Sequence, residues 1–160
     1  NVLGERNMLT SLHVKNMILI DEEEILFSDG LNILSGETGA GKSIILGALG
    51  LAMGEKPGKG LIRDEEKEAL VEAVFSVNER QKSLFKEMDV DVSDGEIILS
   101  RKITPQRASA KINGENVPAG MLSKAAFLPE KTFMVILPLF SSTIAVTALF
   151  GETIFTICLA

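Results

Sequence analysis

One octet constrains the fold of this chain more than any other feature. Residues 36–43 read GETGAGKS and match the pattern G-x-x-x-x-G-K-[ST] at each fixed position. The octet follows the apolar, strand-like residues 31–34 and opens a helix-like run over residues 43–53. A strand, a glycine-rich loop and a helix in this order form the unit that holds nucleotide phosphates. The sequence therefore predicts an α/β fold with a nucleoside triphosphate site.

The residue types in the octet suit phosphate binding. Three glycines allow turns that point successive backbone N–H groups inward, and the positive end of the following helix supports the same site. Lys42 offers a mobile charge to the β- and γ-phosphates, and the Ser43 hydroxyl can ligate Mg²⁺. The predicted nucleotide-binding residues are Gly36, Glu37, Thr38, Gly39, Ala40, Gly41, Lys42 and Ser43.

Length and composition bound the other possibilities. A chain of 160 residues has room for one proper core. Its formal charge of −6 argues against a generally basic surface that coats nucleic acid. Cys158 and His13, one of each residue type, cannot form a disulfide framework or a Cys/His zinc site, which suits the cytosol. Residues 1–7 read as a leader or cloning remnant, and no secretory signal is indicated.

The pattern along the chain alternates strands and helices. The first two strands form a hairpin that leads into a central strand carrying the loop. Asn78 is placed to cap a helix, the pair Asn113 and Gly114 predicts a tight turn, and Pro118 lies near the start of another helix. The middle of the chain is predicted to be an antiparallel sheet. The predicted strands are residues 9–17, 22–27, 31–34, 69–77, 96–104 and 108–112, and the predicted helices are residues 43–53, 78–88 and 117–126.

Several segments resemble one known family. Residues 8–17, 31–45, 61–63, 71–75, 95–101 and 112–114 are similar to the amino-terminal head of the bacterial RecN family of DNA repair proteins. The resemblance covers residues 8–126 and implies an SMC-like, ABC-type ATPase. In that family two heads enclose two ATP molecules, and a coiled coil separates the halves of each head. The implied fold is a P-loop lobe with an antiparallel β subdomain, acting in the repair of DNA double-strand breaks and in recombination.

The resemblance also implies roles for particular residues. The octet is then the ATP and Mg²⁺ site. Lys42 would stabilise charge on the transferred phosphate, and Ser43 would ligate the metal. Arg63 stands where related heads place an arginine near nucleotide or DNA. The other interpretation of Arg63 is a surface ion pair with the acidic residues that follow it. DNA, a second head and a carboxy-terminal lobe are the implied partners, and the implied location is the bacterial cytoplasm and nucleoid.

Parts of a complete head are missing from the sequence. No run of four apolar residues followed by Asp-Glu comes after the octet, and no separate signature loop is present. Neither Gln81 nor Gln106 stands where the family has its metal-linked glutamine. The chain therefore reads as an incomplete head that is inactive alone. The alternatives are a nucleotide-binding fragment without turnover and a small P-loop phosphotransferase.

The tail departs from the family. Residues 127–160 show no resemblance, and residues 132–151 contain no charged side chain. A run of this length meets the length criterion for a membrane-spanning helix, but Pro138 and many β-branched residues count against it. Buried or aggregating strands are a second interpretation, and a frame error or truncation is a third. A membrane role is not favoured.

Overall fold

The computed structural model describes residues 9–28, 31–34, 41–127, 133–139, 143–150 and 153–159. Within these residues, strands and helices alternate along the chain. The strands are β1 (Leu9–Met17), β2 (Ile20–Leu26), β3 (Leu31–Leu34), β4 (Ala69–Ser76), β5 (Glu96–Ile103), β6 (Ala108–Ile112), β7 (Glu115–Val117), β8 (Phe133–Leu139), β9 (Thr143–Phe150) and β10 (Thr153–Leu159), and the helices are α1 (Gly41–Ala52), α2 (Glu79–Glu87) and α3 (Ala119–Phe127).

A six-stranded antiparallel sheet organises the fold. Its strand order is β2-β1-β4-β5-β6-β7, and each pair of neighbours runs antiparallel. One row of paired residues crosses four strands: Leu12 pairs with Ala73, Ala73 with Leu99, and Leu99 with Ile112. All four side chains are buried. Because side chains alternate between the faces of a strand, this row marks the inner face of the sheet.

Helices α1 and α3 cover the sheet. α1 contacts β1, β4 and β5, and α3 contacts β6. Ala48, Leu49 and Ala52 of α1 are buried, whereas Gly47 is exposed. The exposed Gly47 shows that part of the surface of α1 remains open. Removing this apolar surface from water stabilises the sheet and helix together, at roughly 25 cal/mol per Å².

Several predicted element boundaries differ from the observed ones. β2 begins at Ile20, two residues before the predicted start, and α1 begins at Gly41 inside the octet. α3 begins at Ala119 because Val117 pairs with Ala110 as the end of β7, a strand that the sequence analysis did not predict. The predicted cap at Asn78 is confirmed: its side chain accepts from the Gln81 N–H, and the Gln81 side chain accepts from the Asn78 N–H.

The strand before the octet has a different partner from the one predicted. β3 was expected to be a central strand, but it pairs in parallel with β10 at the edge of a four-stranded sheet ordered β3-β10-β9-β8. The apolar tail supplies the other three strands, as its β-branched content favours. The interpretation of the tail as strands therefore matches the structure. In the described part of the chain, no helix is long and apolar enough to cross a membrane.

Helix α1 ends in a motif that requires glycine. Gly54 has φ +101°, its N–H donates to the Leu51 carbonyl, and the Glu55 N–H donates to the Gly50 carbonyl. These two bonds form a Schellman cap, which satisfies carbonyl groups that have no partner within the helix. A Cβ atom at Gly54 would overlap the Ser123 hydroxyl and lie 2.9 Å from the Ser123 backbone nitrogen. The close contact joins the end of α1 to α3.

The outer face of the sheet carries a network of ion pairs. The Glu22 carboxylate lies 2.9 Å from the Lys15 ammonium and 3.0 Å from the Nε2 atom of His13. Glu72 accepts a hydrogen bond from Ser100 and lies 3.7 Å from the Nδ1 atom of His13. The hydrogen bonds from Lys15 and then from His13 hold the pKa of Glu22 below its ordinary value of 4.5.

We expect Gly54→Ala to destabilise the protein by about 1 to 3 kcal/mol, because the substitution adds both backbone strain and a steric overlap. Urea denaturation followed by circular dichroism measures the change. Gly58→Ala is the matched control, since a Cβ atom there meets nothing within 4 Å and its φ is not positive. Equal unfolding midpoints for the two variants would show that a Cβ atom at Gly54 adds neither strain nor overlap.

We expect Glu22→Gln to destabilise the protein at neutral pH and to have little effect on its stability at acidic pH. A carboxyl group whose pKa is lower in the folded state contributes stability above its unfolded pKa, and that contribution disappears as the pH falls through the folded value. The wild-type advantage should therefore be present at neutral pH and shrink below about pH 4.5. Denaturation midpoints measured from pH 7 to pH 3 test this, with Glu23→Gln on the same strand as the control.

Candidate nucleotide-binding site

The octet joins a strand to a helix, as the sequence predicts. β3 ends at Leu34 and α1 begins at Gly41. Lys42 and Ser43 follow in the first turn of α1, so the helix starts inside the motif. The remaining octet residues, Gly36, Glu37, Thr38, Gly39 and Ala40, lie outside the described residues, as do the side chains of Lys42 and Ser43.

The start of α1 has the electrostatic character that an anion requires. The first backbone N–H groups of a helix have no partner within it, and the aligned peptide dipoles add a partial positive charge there. α1 is twelve residues long and has no acidic residue in its first turn. A carboxylate in that turn would compete with a bound phosphate. The backbone of α1 therefore presents donors and positive potential at the octet.

The rest of α1 fixes this helix end in place. Ala48 and Ala52 are completely buried, and small side chains allow the helix to lie close to the sheet. Its C-terminal end is tied to α3 through Gly54. A helix held on one face and at one end cannot turn its first residues away from the loop. The buried contacts therefore position the proposed binding groups.

Arg63 contacts the β1–β2 turn. Its Nη1 group donates to the Leu19 carbonyl at 3.0 Å, and its backbone N–H donates to the Asn16 carbonyl at 3.2 Å. Among the described residues it forms no ion pair, and Asp64 instead pairs with Lys67 at 3.1 Å. The interpretation of Arg63 as an ion pair with the acids that follow it is therefore wrong for the described part of the chain. Its guanidinium remains exposed.

Asn16 anchors the segment that carries Arg63. It is only 4% exposed and adopts φ 53°, a backbone conformation that asparagine tolerates better than most residues. Its side-chain amide donates to the carbonyls of Asp64, Lys67 and Glu68 at 2.9, 3.1 and 3.3 Å, and its side-chain oxygen accepts from the Asp64 N–H. Sequence reasoning missed this residue because its partners lie about fifty positions away.

Asp64 adds hydrogen bonds within the same segment. Its carboxylate accepts from the Lys67 ammonium and from the Glu66 N–H, and these bonds, in that order, lower the pKa of Asp64. Residues 61–68 therefore form a hydrogen-bonded loop that holds Arg63 against the turn between β1 and β2. The described contacts of Arg63 are all with that turn, and none of them joins it to α1.

A cavity elsewhere has the wrong charge for a nucleotide. It has a volume of about 520 Å³ and lies beside β5 and the segment that follows α2. Asp89, Asp91, Asp94, Glu96 and Glu115 contribute to its lining. These carboxylates would repel a triphosphate, and a cavity with this lining does not compete with the octet as a candidate site.

Comparison with known proteins supports the resemblance drawn from the sequence. The family model described as AAA domain matches residues 11–131. The DNA repair protein RecN of Halalkalibacterium halodurans is 37% identical over 118 residues. The match covers 72% of this chain and 21% of the RecN chain, so the chain spans about a fifth of the length of that relative. The predicted resemblance to RecN is confirmed.

Solved structures share the fold. A chain from work on ATP-driven dimerization and DNA-stimulated activation of SMC ATPases has a TM-score of 0.61 and 21% identity, covering 75% of this chain and 78% of that one. The recombination mediator protein RecF, in its ATPrS structure, has a TM-score of 0.59 and 18% identity, covering 74% of this chain and 30% of that one. The predicted fold, a P-loop lobe of the ABC and SMC type, is confirmed.

We expect Asn16→Ala to destabilise the protein by about 2 to 4 kcal/mol, because it leaves backbone groups of residues 64–68 without their partner. Chemical denaturation gives the change in free energy, and faster proteolysis within residues 61–68 would locate it. Asn116→Ala, at an exposed position on β7, is the control. A proteolysis rate equal to that of the wild type would show that Asn16 does not hold this loop.

Proposed function

The chain belongs to the AAA domain family, and we propose that it binds ATP as the P-loop lobe of a RecN-like ATPase head. The observation that carries the proposal is the start of α1 inside the octet, with Lys42 and Ser43 in the first helical turn. This is the arrangement in which loop amides, a lysine and a helix end converge on phosphate oxygens. The RecF and SMC structures with the same fold come from work that names ATP.

Each residue of the octet has a proposed task. The backbone N–H groups of residues 36–41 surround the phosphates, and Lys42 pairs with the β- and γ-phosphate oxygens. Ser43 contributes its hydroxyl to Mg²⁺, which when bound neutralises charge on the phosphates. During phosphoryl transfer, Lys42 and the loop amides stabilise the charge on the equatorial oxygens.

Turnover requires groups beyond this chain. We propose that a carboxy-terminal lobe supplies the metal-binding acid and the water-activating base, and that a second head closes the site. The isolated chain then binds ATP without hydrolysing it. Arg63 is proposed as a cation that meets nucleotide or DNA in the assembled head, because its exposed guanidinium is held in a fixed place by the Leu19 carbonyl.

The biological setting follows from the relatives. RecN is named a DNA repair protein and RecF a recombination mediator. We propose that the assembled protein acts in double-strand break repair and recombination, in the bacterial cytoplasm at the nucleoid. DNA contact belongs to dimerised heads in this proposal, since the chain itself carries a net charge of −6.

We expect Lys42→Ala to weaken Mg·ATP binding by about 10- to 150-fold, the equivalent of losing one charge-assisted hydrogen bond worth about 1.5 to 3 kcal/mol. Isothermal titration calorimetry of the folded chain measures the affinity. Lys56→Ala is the matched control, because Lys56 is an exposed lysine in the loop after α1. It should bind as the wild type does.

Four results would count against the proposal or a part of it. Folded wild-type protein that releases no heat with Mg·ATP would refute nucleotide binding. Equal affinities of Lys42→Ala and wild type would show that the octet is not the site. Release of inorganic phosphate by the isolated chain, lost in Lys42→Ala, would refute the need for a second lobe, and transfer of phosphate to a small acceptor would favour a phosphotransferase.

A further inference from the structure

Arg101 is a charged residue on the inner face of the sheet. It lies on β5 in phase with Ile97, Leu99 and Ile103, all of which are buried. Its backbone pairs with Val71 on one side and Ala110 on the other, and its side chain is only 5% exposed. Arginine is almost never buried to this degree without a partner.

The other buried polar residues in the described part of the chain have partners. Asn16 binds the segment after Arg63, Gln81 completes the cap of α2, and Ser100 donates to Glu72. Arg101 differs: its Nε and Nη1 groups are buried, and no atom of the described residues accepts a hydrogen bond from either of them. Within that part of the chain, Arg101 therefore stands out among buried polar residues that otherwise have partners.

The carboxylates of Glu72 on β4 and of Glu68, which precedes that strand, cannot serve Arg101. Glu72 and Glu68 interact with Ser100 and Lys102, whose side chains alternate with Arg101 and lie on the opposite face of β5. Burial lowers the pKa of Arg101, but a guanidinium stays protonated at any physiological pH. A buried charge of this kind is costly until an acid pairs with it.

We infer that Arg101 pairs with a carboxylate side chain of the complementary lobe, the part of the head that this chain lacks. The inference rests on the proposed function, which makes the chain an incomplete head. The chain spans about a fifth of its RecN relative, so most of a complete protein is available to supply the acid. α1 contacts β5 and α3 contacts the next strand, so Arg101 lies where the two helices share the sheet.

The burial of Arg101 selects this occupant over a nucleotide. A side chain that is 5% exposed has too little accessible surface for a nucleotide or a DNA strand, and its accessible part can be reached only by a small group. A carboxylate on a packed protein surface is such a group. It can accept two parallel N–H bonds from the planar guanidinium, which fixes geometry as well as charge. Arg101 would therefore set the register in which the two lobes join.

The 160-residue chain provides the first test, by thermal unfolding of Arg101→Met. Removing an unpaired buried charge while keeping a long apolar side chain should raise Tm by several degrees. Lys102→Met, the next residue on the strand, removes a half-exposed cation from its surface ion pair with Glu68 and should change Tm much less, because such a pair contributes little. Sodium formate, a free carboxylate, should raise Tm of the wild type relative to equal sodium chloride, and should not do so for Arg101→Met.

The second test places the chain in a complete protein. Residues 9–126 replace the matched segment of the full-length H. halodurans RecN, and Arg101→Met is compared in that chimera. We expect Tm to fall there, the opposite sign from the isolated chain, because a carboxylate of the other lobe loses its partner. A rise in both contexts would overturn the inference, and so would a fall in the isolated chain.

The outcomes separate this inference from the proposed function. If ATP binding depends on Lys42, but Arg101→Met changes Tm with the same sign in the isolated chain and in the chimera, only the role of Arg101 is refuted. If the Tm change of Arg101→Met reverses its sign between the two contexts, but the chain does not bind ATP, only nucleotide binding is refuted. A further outcome would also overturn the assignment: inorganic phosphate stabilises the wild-type chain more than formate does and does not stabilise Arg101→Met. The ligand of Arg101 would then be a phosphate and not a carboxylate.

Discussion

The burial of one face of the six-stranded sheet beneath α1 is the interaction on which the other features depend. The row from Leu12 through Ala73 and Leu99 to Ile112 makes that face continuous across four strands. α1 can present its first turn to a loop only because its remaining turns are fixed on this surface. The proposed phosphate site is therefore a consequence of core packing, and a sheet without this face would leave the octet as an unpositioned glycine-rich turn.

The segment after α1 is held at two points by backbone geometry. Gly54 closes the helix with a positive φ and contacts α3, and Asn16, also at positive φ, binds residues 64–68. Between these anchors the chain passes Arg63, whose side chain is fixed in turn by the Leu19 carbonyl. Local conformations that most residues avoid thus place a cation at the end of β1. The proposed role of Arg63, as a cation that meets nucleotide or DNA, rests on this fixed placement.

The parts of the fold that could be predicted are those set by neighbours in sequence. Alternation gave β1 with its observed bounds, and the cap at Asn78 needs only three residues. The partner of β3 depends on a tail more than a hundred residues away, and the Asn16 bonds span about fifty, so neither left a local signal. The sequence places Arg101 in phase with Ile97 and Leu99, but it could not show that the Nε and Nη1 groups of Arg101 have no acceptor among the described residues.

Negative and positive charge lie in different places on the described part of the chain. Carboxylates dominate β2 and the cavity beside β5, where they face water or neighbouring cations. Two sites of positive potential besides Arg63 are the start of α1 and Arg101. These two sites differ in access, since one is a helix end beside a glycine-rich loop and the other is a buried guanidinium that only a small group can reach. A triphosphate suits the first and a carboxylate the second, so the electrostatics of one lobe specify both its proposed ligand and the chemistry of the surface that would complete it.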